Sequence, residues 1–457
     1  MNTYTDWRQE ARATVNLAVP LALTQLAYVA MTTTDVVMMG WLGTDVLAAG
    51  SLAWHLYGAV EFSAAGLLSA VAPILSQHLG ARRFRMIRGT VRQGAWGAVI
   101  VSVPCIALLW QAQAILVLLG QDPDIAGASQ SYLRYIALGF LPGLWYWVLS
   151  EFLAAHARPR ATLVISIIGV GVNAVADYAL MFGHFGYPQL GLIGAGIASA
   201  IVSNLMFLAV LGFVLVDRRF RRYRLLGRFW RADWPRLAEI IRLGVPFAVT
   251  ELAEMGMFLA AALLMGMIGT ETLAAHAIVV QCYAIVFMGA AGLFQAASVR
   301  VGRAVGAGDH PATARAGWTA IGLGAVFALL PAAVFWLFGR EIAEFFLDSA
   351  RPQDLPTIDL AVLFLTVAAL AVIVDSAQVV TRGALLGVKD TRGPMLIALA
   401  GHWGLGLPMA ALFGVYLGFG GEAIWICLFL AMSVVSIFLA RRFQIRSRLP
   451  IHMLQQG

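Results

Sequence analysis

Long apolar stretches recur along this chain from about residue 13 to residue 440, separated by short polar connections. Each stretch supplies the roughly 20 residues that a helix needs to cross about 30 Å of hydrocarbon. Backbone groups in lipid must bond within their own segment, which favours helices. A transmembrane β-barrel would instead show alternating segments of about 10 residues. With 12% charged residues, against about 25% in soluble domains, the sequence predicts an all-α integral membrane protein.

The placement of positive charge predicts how many spans there are and how they are oriented. Apolar runs between Gly, Pro and charged residues give twelve candidate spans, near residues 13–39, 50–79, 91–111, 129–155, 161–182, 191–216, 239–268, 272–299, 313–338, 357–386, 394–416 and 421–440. Arginine and lysine concentrate in alternate connections, whereas the opposite connections are mostly acidic. This positive-inside pattern predicts a multi-pass protein of a bacterial inner membrane with both termini in the cytoplasm.

The longest basic connection, residues 217–236, lies near the middle of the chain. We interpret it as a cytoplasmic linker that touches anionic lipid headgroups. The formal net charge of +7 does not indicate a nucleic-acid partner, because no nucleic-acid-binding module is visible in the sequence. The lipid bilayer is therefore the partner that this charge favours.

The two halves of the sequence are related by an internal repeat. PLALTQLAYVAM from Pro20 matches PFAVTELAEMGM from Pro246, and MMGWLGTDVLAA from Met38 matches LMGMIGTETLAA from Leu264, all without a gap. The repeat predicts an amino-terminal six-helix lobe over residues 1–216, the linker over 217–236, and a carboxy-terminal lobe over 237–457. Six spans per half make the repeat parallel, as in one class of secondary transporters, in which substrate binds between the halves and access alternates by rocking.

Proline occurs near the start of the first span of each half, at Pro20 and Pro246. A proline inside a helix removes one backbone donor and its ring clashes with the preceding turn, which bends the helix. Pro20 is therefore a candidate helix-bending residue. The alternative is a static kink.

Acidic residues within the spans are the most informative for function. A charge at the bilayer centre costs at least about 2.5 to 3.5 kcal/mol, so such residues usually face a protein-lined cavity and mark an ion path. Burial disfavours a charged carboxyl group and a bound cation favours it, so one group can exchange a proton for another cation. The acids concerned are Asp35, Glu61, Glu151, Asp177, Glu251, Glu254 and Asp375.

Asn173 and Asp177 are four residues apart on one predicted helix, so both side chains point the same way. The amide oxygen and the carboxylate could share one hard cation, with Asp35 approaching from the first span. An interhelical hydrogen-bonded pair is the alternative. In the second half, Glu254 and Asp375 are the stronger ion-path candidates, whereas Glu251, Glu61 and Glu151 could each be a structural partner of a hydroxyl or an arginine.

Methionine and aromatic side chains are frequent around the first helix of each half. Methionine adapts its shape, and aromatic rings attract cations, so these residues are compatible with a broad pocket for organic cations. For any single residue, ordinary helix packing is the simpler interpretation. The candidate pocket residues are Tyr28, Met31, Tyr57, Glu251, Met257 and Tyr283.

Three motifs of this chain are PLALTQLAYVAMTTTDVVMMGWLG, which contains Asp35, PFAVTELAE, which ends at Glu254, and DSAQVVTRGALLGVKD, which begins at Asp375. They resemble the multidrug and toxin extrusion family (MATE), in particular its NorM-like bacterial branch. The resemblance covers essentially the whole chain and implies a V-shaped pair of six-helix lobes. It further implies that Asp35, Asn173, Asp177 and Ser199 form an amino-lobe cation site, that Glu254 and Asp375 form a carboxy-lobe site, and that the helix of Pro20 bends.

These observations predict a monomeric efflux transporter that exchanges organic, mostly cationic drugs for H+ or Na+, without a cofactor or a metal site beyond possible Na+. A lipid-linked precursor flippase is one alternative, but its cavity would be rich in Arg and Lys, whereas the charges expected within these spans are acidic. A membrane enzyme is the other alternative. It would need a catalytic or metal motif, and none is recognisable.

Overall fold

The described part of the chain folds into twelve helical segments that are long and apolar enough to cross a membrane. The structure is a computed structural model that describes residues 3–225, 227, 230, 233–347 and 351–449, with side chains from residue 6 onward. The segments are α1 (Thr3–Leu42), α2 (Thr44–Gly80), α3 (Phe84–Trp110), α4 (Pro123–Ala155), α5 (Pro159–Phe182), α6 (Leu192–Val216), α7 (Trp234–Ile268), α8 (Thr270–Ala307), α9 (His310–Leu337), α10 (Leu355–Gly387), α11 (Arg392–Tyr416) and α12 (Gly420–Arg448). The predicted all-α class and the twelve spans are confirmed.

Three of these segments are irregular. α2 turns at residues 69–70, α4 contains a 3-10 turn at Ala137–Gly139, and α11 contains two π-helical stretches at Leu399–Gly406 and Ala411–Tyr416. Hydrophobic periodicity does not predict such changes, because they alter the number of residues per helical turn without altering the amino-acid composition. Short helices also occur in three connections, at Ala112–Leu118, Arg218–Arg221 and Gly339–Phe346.

Several helix ends follow from the local sequence. The Asp122 side chain accepts hydrogen bonds from the backbone amides of Asp124 and Ile125 at 2.9 and 3.3 Å, and so caps α4. Asp309 caps α9 through the amide of Ala312 at 2.9 Å. α5 ends at Gly183, whose φ of 76° is a left-handed conformation that glycine adopts without a steric penalty.

By compactness, the chain divides into two units. The N-unit is Leu23–Ala248, and the C-unit is Met1–Ala22 together with Val249–Gly457. Each break lies inside a helix, two residues after Pro20 in α1 and two residues after Pro246 in α7.

The lobes of 1–216 and 237–457 remain a prediction from the sequence repeat. Within the predicted linker, residues 226, 228–229 and 231–232 lie outside the described residues, as do 450–457 at the end of the second lobe.

Each unit has its own apolar core. In the N-unit, Tyr132, Phe140 and Phe152 are among the largest fully buried side chains, and in the C-unit Phe364 and Trp425 have this role. Burying a large side chain of this kind stabilises a fold by about 1.5 to 3 kcal/mol in water. In lipid the apolar driving force between helices is small, so close packing of these side chains and of small residues holds the helices together.

The contact between α5 and α6 depends on such a small residue. A Cβ atom at Gly194 of α6 would lie 2.6 Å from the carbonyl oxygen of Leu180 and 2.9 Å from the amide nitrogen of Met181. Both neighbours are backbone atoms near the carboxy-terminal end of α5, so they cannot move without shifting that helix. We therefore expect Gly194→Ala to lower the free energy of unfolding by about 1 to 3 kcal/mol.

A melting curve of the detergent-purified protein measures this effect. Gly212→Ala is the matched control, because Gly212 is also on α6 and, among the described residues, no atom beyond its chain neighbours and the adjacent backbone of α6 lies within 4 Å of its added Cβ. The control should melt at or slightly above the temperature of the unchanged protein, since alanine favours helix over glycine. Equal melting temperatures for the two variants would contradict the assigned α5–α6 contact.

Candidate functional site

The four residues predicted for the amino-lobe cation site meet in the N-unit. Asp35 comes from α1, Asn173 and Asp177 from successive turns of α5, and Ser199 from α6. The Asn173 amide nitrogen donates to Asp35 Oδ1 and to Asp177 Oδ2, both at 2.5 Å. The Ser199 hydroxyl donates to Asp35 Oδ2 at 3.3 Å. We call these four residues the N-cluster.

The N-cluster buries two carboxyl groups with little compensation. Asp35 is 4% exposed and Asp177 is 0% exposed, and the two carboxyl groups are hydrogen-bonded to each other as well as to the Asn173 amide. Two ionised carboxylates joined by one neutral amide would repel each other, so a proton or a cation is needed to stabilise the pair. Since the amide nitrogen of Asn173 faces both acids, a cation would take its oxygen ligands from the carboxylates and Ser199 unless the amide turns over.

A cavity in the N-unit opens onto this cluster. It contains about 1050 Å³ of space, part of it open to the surroundings. Asp35, Asn173 and Ser199 line it, whereas Asp177 is not among the lining residues. The predicted pocket residues Tyr28, Met31 and Tyr57 also line it. No Lys, Arg or His occurs among the described residues that form this wall, so its charged side chains are acidic. We call this space the N-cavity.

The second group of acids lies in the C-unit and has a different charge balance. Arg382 of α10 donates to Glu251 Oε1 at 3.0 Å and pairs with Glu254 Oε2 at 2.8 Å, both on α7. Gln378, also on α10, donates to Glu254 Oε1 at 3.0 Å. The guanidinium of Arg382 is 2% exposed and bridges two acids. The predicted residue Glu254 therefore already has a positive partner.

Asp375 completes this group. It lies seven residues before Arg382 on α10, it interacts electrostatically with Arg382 and Glu254, and it is hydrogen-bonded to Tyr283 of α8. His402 of α11 places Nε2 3.7 Å from Glu254 Oε1. Three carboxyl groups thus surround one guanidinium. We call Glu251, Glu254, Asp375, Gln378, Arg382, His402 and Tyr283 the C-cluster.

The expectation that charges within the spans are acidic is wrong at Arg382. This residue lies within α10, one of the membrane-length helices, and is buried. A signal was present in the sequence, since Asp375, Gln378 and Arg382 are spaced by three and four residues and so share one helix face. Which helix that face meets could not be read from periodicity.

The remaining predicted residues are not among those that line the N-cavity. Met257 and Tyr283 belong to the apolar core of the C-unit, where the Tyr283 hydroxyl lies 3.8 Å from the sulfur of Met432. Pro20 lies inside the continuous helix α1. In the described part of the chain, no three or more His, Cys, Asp or Glu side chains are arranged to hold a metal ion. The roles of Pro20, Met257 and Tyr283 remain predictions.

Known protein sequences are similar to this chain over nearly its whole length. The MatE family model matches residues 20–179 and 246–412, one match in each half. A probable multidrug resistance protein NorM of Mesorhizobium japonicum is 44% identical over 445 residues, covering 97% of this chain and 95% of the relative. The NorM protein of Brucella suis, described in the same words, is 43% identical and covers 96% and 93%.

Solved structures agree on the fold. A crystal structure of the eukaryotic MATE transporter AtDTX14 superposes with a TM-score of 0.85 at 20% identity, covering 98% of this chain and 99% of the other. A transporter of the MOP superfamily from Pyrococcus furiosus superposes with a TM-score of 0.86 at 17% identity, covering 98% of this chain and 97% of the other. With twelve membrane-length helices and relatives of this identity, the chain is a multi-pass membrane protein that belongs to the MATE family of multidrug transporters, in its NorM-like branch.

Proposed function

We propose that this protein is a secondary active antiporter that moves organic cations out of the cell in exchange for H+ or Na+. The observation that carries the proposal is the N-cavity, which has a buried pair of carboxyl groups at its wall and no cationic side chain among its described lining residues. Such a wall favours positively charged cargo. Alternating access, as the parallel repeat predicts, would present it to each side of the membrane in turn.

Ion coupling follows from the same acids. With a proton or Na+ bound, the N-cluster is compensated; when the ion leaves, the cluster attracts another cation. The C-cluster is a second candidate ion site, in which Arg382 already balances part of the charge. A bend of α1 at Pro20 is a means by which ion binding at Asp35 could change the shape of the N-cavity.

We further propose a monomer in the inner membrane with both termini in the cytoplasm, no cofactor and no catalytic activity. Small organic cations, including drugs, and the bilayer are its partners, and nucleic acid is not. A flippase for lipid-linked precursors is disfavoured, because no Arg or Lys that would bind a pyrophosphate occurs among the described residues lining the N-cavity. A membrane enzyme is disfavoured by the names of the relatives, which describe multidrug resistance proteins.

Reconstitution into proteoliposomes tests the proposal. A proton gradient and a sodium gradient are imposed in separate experiments, and movement of the fluorescent cation ethidium is followed. We expect one of the gradients to drive ethidium against its own concentration difference. The absence of exchange under both gradients, from protein shown to be folded, would reject the antiport proposal.

Asp35→Asn should abolish gradient-driven efflux while the protein remains folded, because asparagine keeps the shape of the side chain but cannot exchange a proton for a cation. Efflux of ethidium from proteoliposomes is the measurement, with a melting curve to check the fold. Asp45→Asn is the control, since Asp45 is an exposed acid in the first turn of α2 and does not line the N-cavity. Efflux by Asp35→Asn at the level of this control would reject the role of Asp35.

Arg382→Gln should destabilise the protein more than Glu254→Gln does. Removal of the buried arginine leaves the buried Asp375 and the half-buried Glu251 and Glu254 without their positive partner, and breaking a buried ion pair costs about 3 to 5 kcal/mol. The double variant should melt at a higher temperature than Arg382→Gln alone, because one of the uncompensated acids is then absent. If the effects of Arg382→Gln and Glu254→Gln on stability were simply additive, this result would contradict the ion pair between Arg382 and Glu254.

A further inference from the structure

A third acid, Glu61 of α2, lines the N-cavity at a position separate from the N-cluster. Its carboxylate accepts a hydrogen bond from the Tyr28 hydroxyl of α1 at Oε2 and another from the Tyr57 hydroxyl, 3.5 Å from Oε1. Both partners are neutral donors, and the described lining of the cavity supplies no cationic side chain. Glu61 therefore differs from Glu251 and Glu254, whose charges Arg382 compensates.

The position of Glu61 relative to the N-cluster follows from α1. Tyr28, which holds Glu61, and Asp35, which belongs to the N-cluster, are seven residues apart, so they lie on the same helix face two turns apart. At 1.5 Å per residue this is about 10 Å along the axis. Thr32, between them, also lines the cavity. The N-cavity thus has acidic groups at two places, one at Asp35 and the other at Glu61 beside Tyr28, which lies two turns before Asp35 on α1.

Aromatic rings surround the Glu61 end of the cavity. The Trp54 ring centroid lies 6.4 Å from that of Tyr28 and 5.7 Å from that of Tyr57, and all three rings line the cavity. Tyr57 is fixed from behind by an edge-to-face contact with Phe140 at 5.9 Å. Such rings attract a cation by their quadrupole and provide flat surface for an aromatic body.

We propose that Glu61 is the counter-ion for the positive group of the cargo, and that Tyr28, Trp54 and Tyr57 form the wall against which the body of the cargo packs. The inference rests on the proposed antiport function and assigns its cargo a separate subsite from the N-cluster. The class of ligand is a monovalent organic cation whose charge is shielded by aromatic or alkyl groups. Without cargo, the two tyrosine hydroxyls satisfy the carboxylate.

Binding to the purified full-length protein tests this assignment with two probes of the same shape and opposite charge, tetraphenylphosphonium and tetraphenylborate. We expect Glu61→Gln to raise the Kd for tetraphenylphosphonium at least about tenfold, which corresponds to about 1.4 kcal/mol. The Kd for tetraphenylborate should stay the same or fall, because a repulsive charge is removed. Asp45→Asn, which changes an exposed acid of the same helix, should alter neither value.

A second pair of variants leaves Glu61 in place. A Cβ atom added at Gly143, which also lines the cavity, would lie 3.9 Å from Glu61 Oε1, which is an ordinary van der Waals contact. Gly143→Lys brings an ammonium group beside Glu61 and should weaken tetraphenylphosphonium binding by competing for the carboxylate. Gly143→Met fills similar space without charge and is the matched control, which should bind this cation more tightly than Gly143→Lys does.

The possible results separate this inference from the function on which it rests. Tetraphenylphosphonium binding that is equally tight in Glu61→Gln and the unchanged protein would overturn the assignment of Glu61, and so would equal weakening by Gly143→Lys and Gly143→Met. In both cases ethidium exchange by the unchanged protein would still support antiport. If the unchanged protein neither binds tetraphenylphosphonium nor exchanges ethidium under either gradient, the proposed function itself fails.

Discussion

A carboxyl group within the membrane needs a proton, a cation or hydrogen-bond donors, because water is not available to stabilise its charge. Both units of this protein are organised around that requirement. In the N-unit an amide nitrogen joins Asp35 and Asp177, whereas in the C-unit a guanidinium joins Glu251 and Glu254. The first arrangement leaves negative charge to be balanced from outside the protein, and this is why we place the primary ion exchange there.

The repeat explains the architecture and also shows where the halves have diverged. The prolines of α1 and α7 are 226 positions apart, and Gly43 and Gly269, at the same spacing, precede α2 and α8. The acids do not follow the repeat, since Glu254 corresponds to Tyr28. The sequence repeat thus predicts two similar helical scaffolds, whereas the N-cluster and the C-cluster give each unit its own electrostatic environment.

The features of the fold that depend on composition and helical periodicity could be predicted from the sequence. The twelve spans are of this kind, and so is the common direction of Asn173 and Asp177. The meeting of Asp35 with α5 was implied by resemblance, since periodicity does not say which helices touch. The pairing of Arg382 with the acids of α7 was missed for the same reason. For Glu61 the sequence is compatible with both an ion path and a structural partner, because only the fold brings Tyr28 and Tyr57 to its carboxylate.

The central claim is that cargo and coupling ion exclude each other through acids of the N-unit. The most direct measurement saturates purified protein with tetraphenylphosphonium in weakly buffered solution, and counts the protons released and the radioactive sodium displaced. The account predicts that one of the two ions leaves in proportion to the cargo bound. Saturable cargo binding without release of either ion would contradict it.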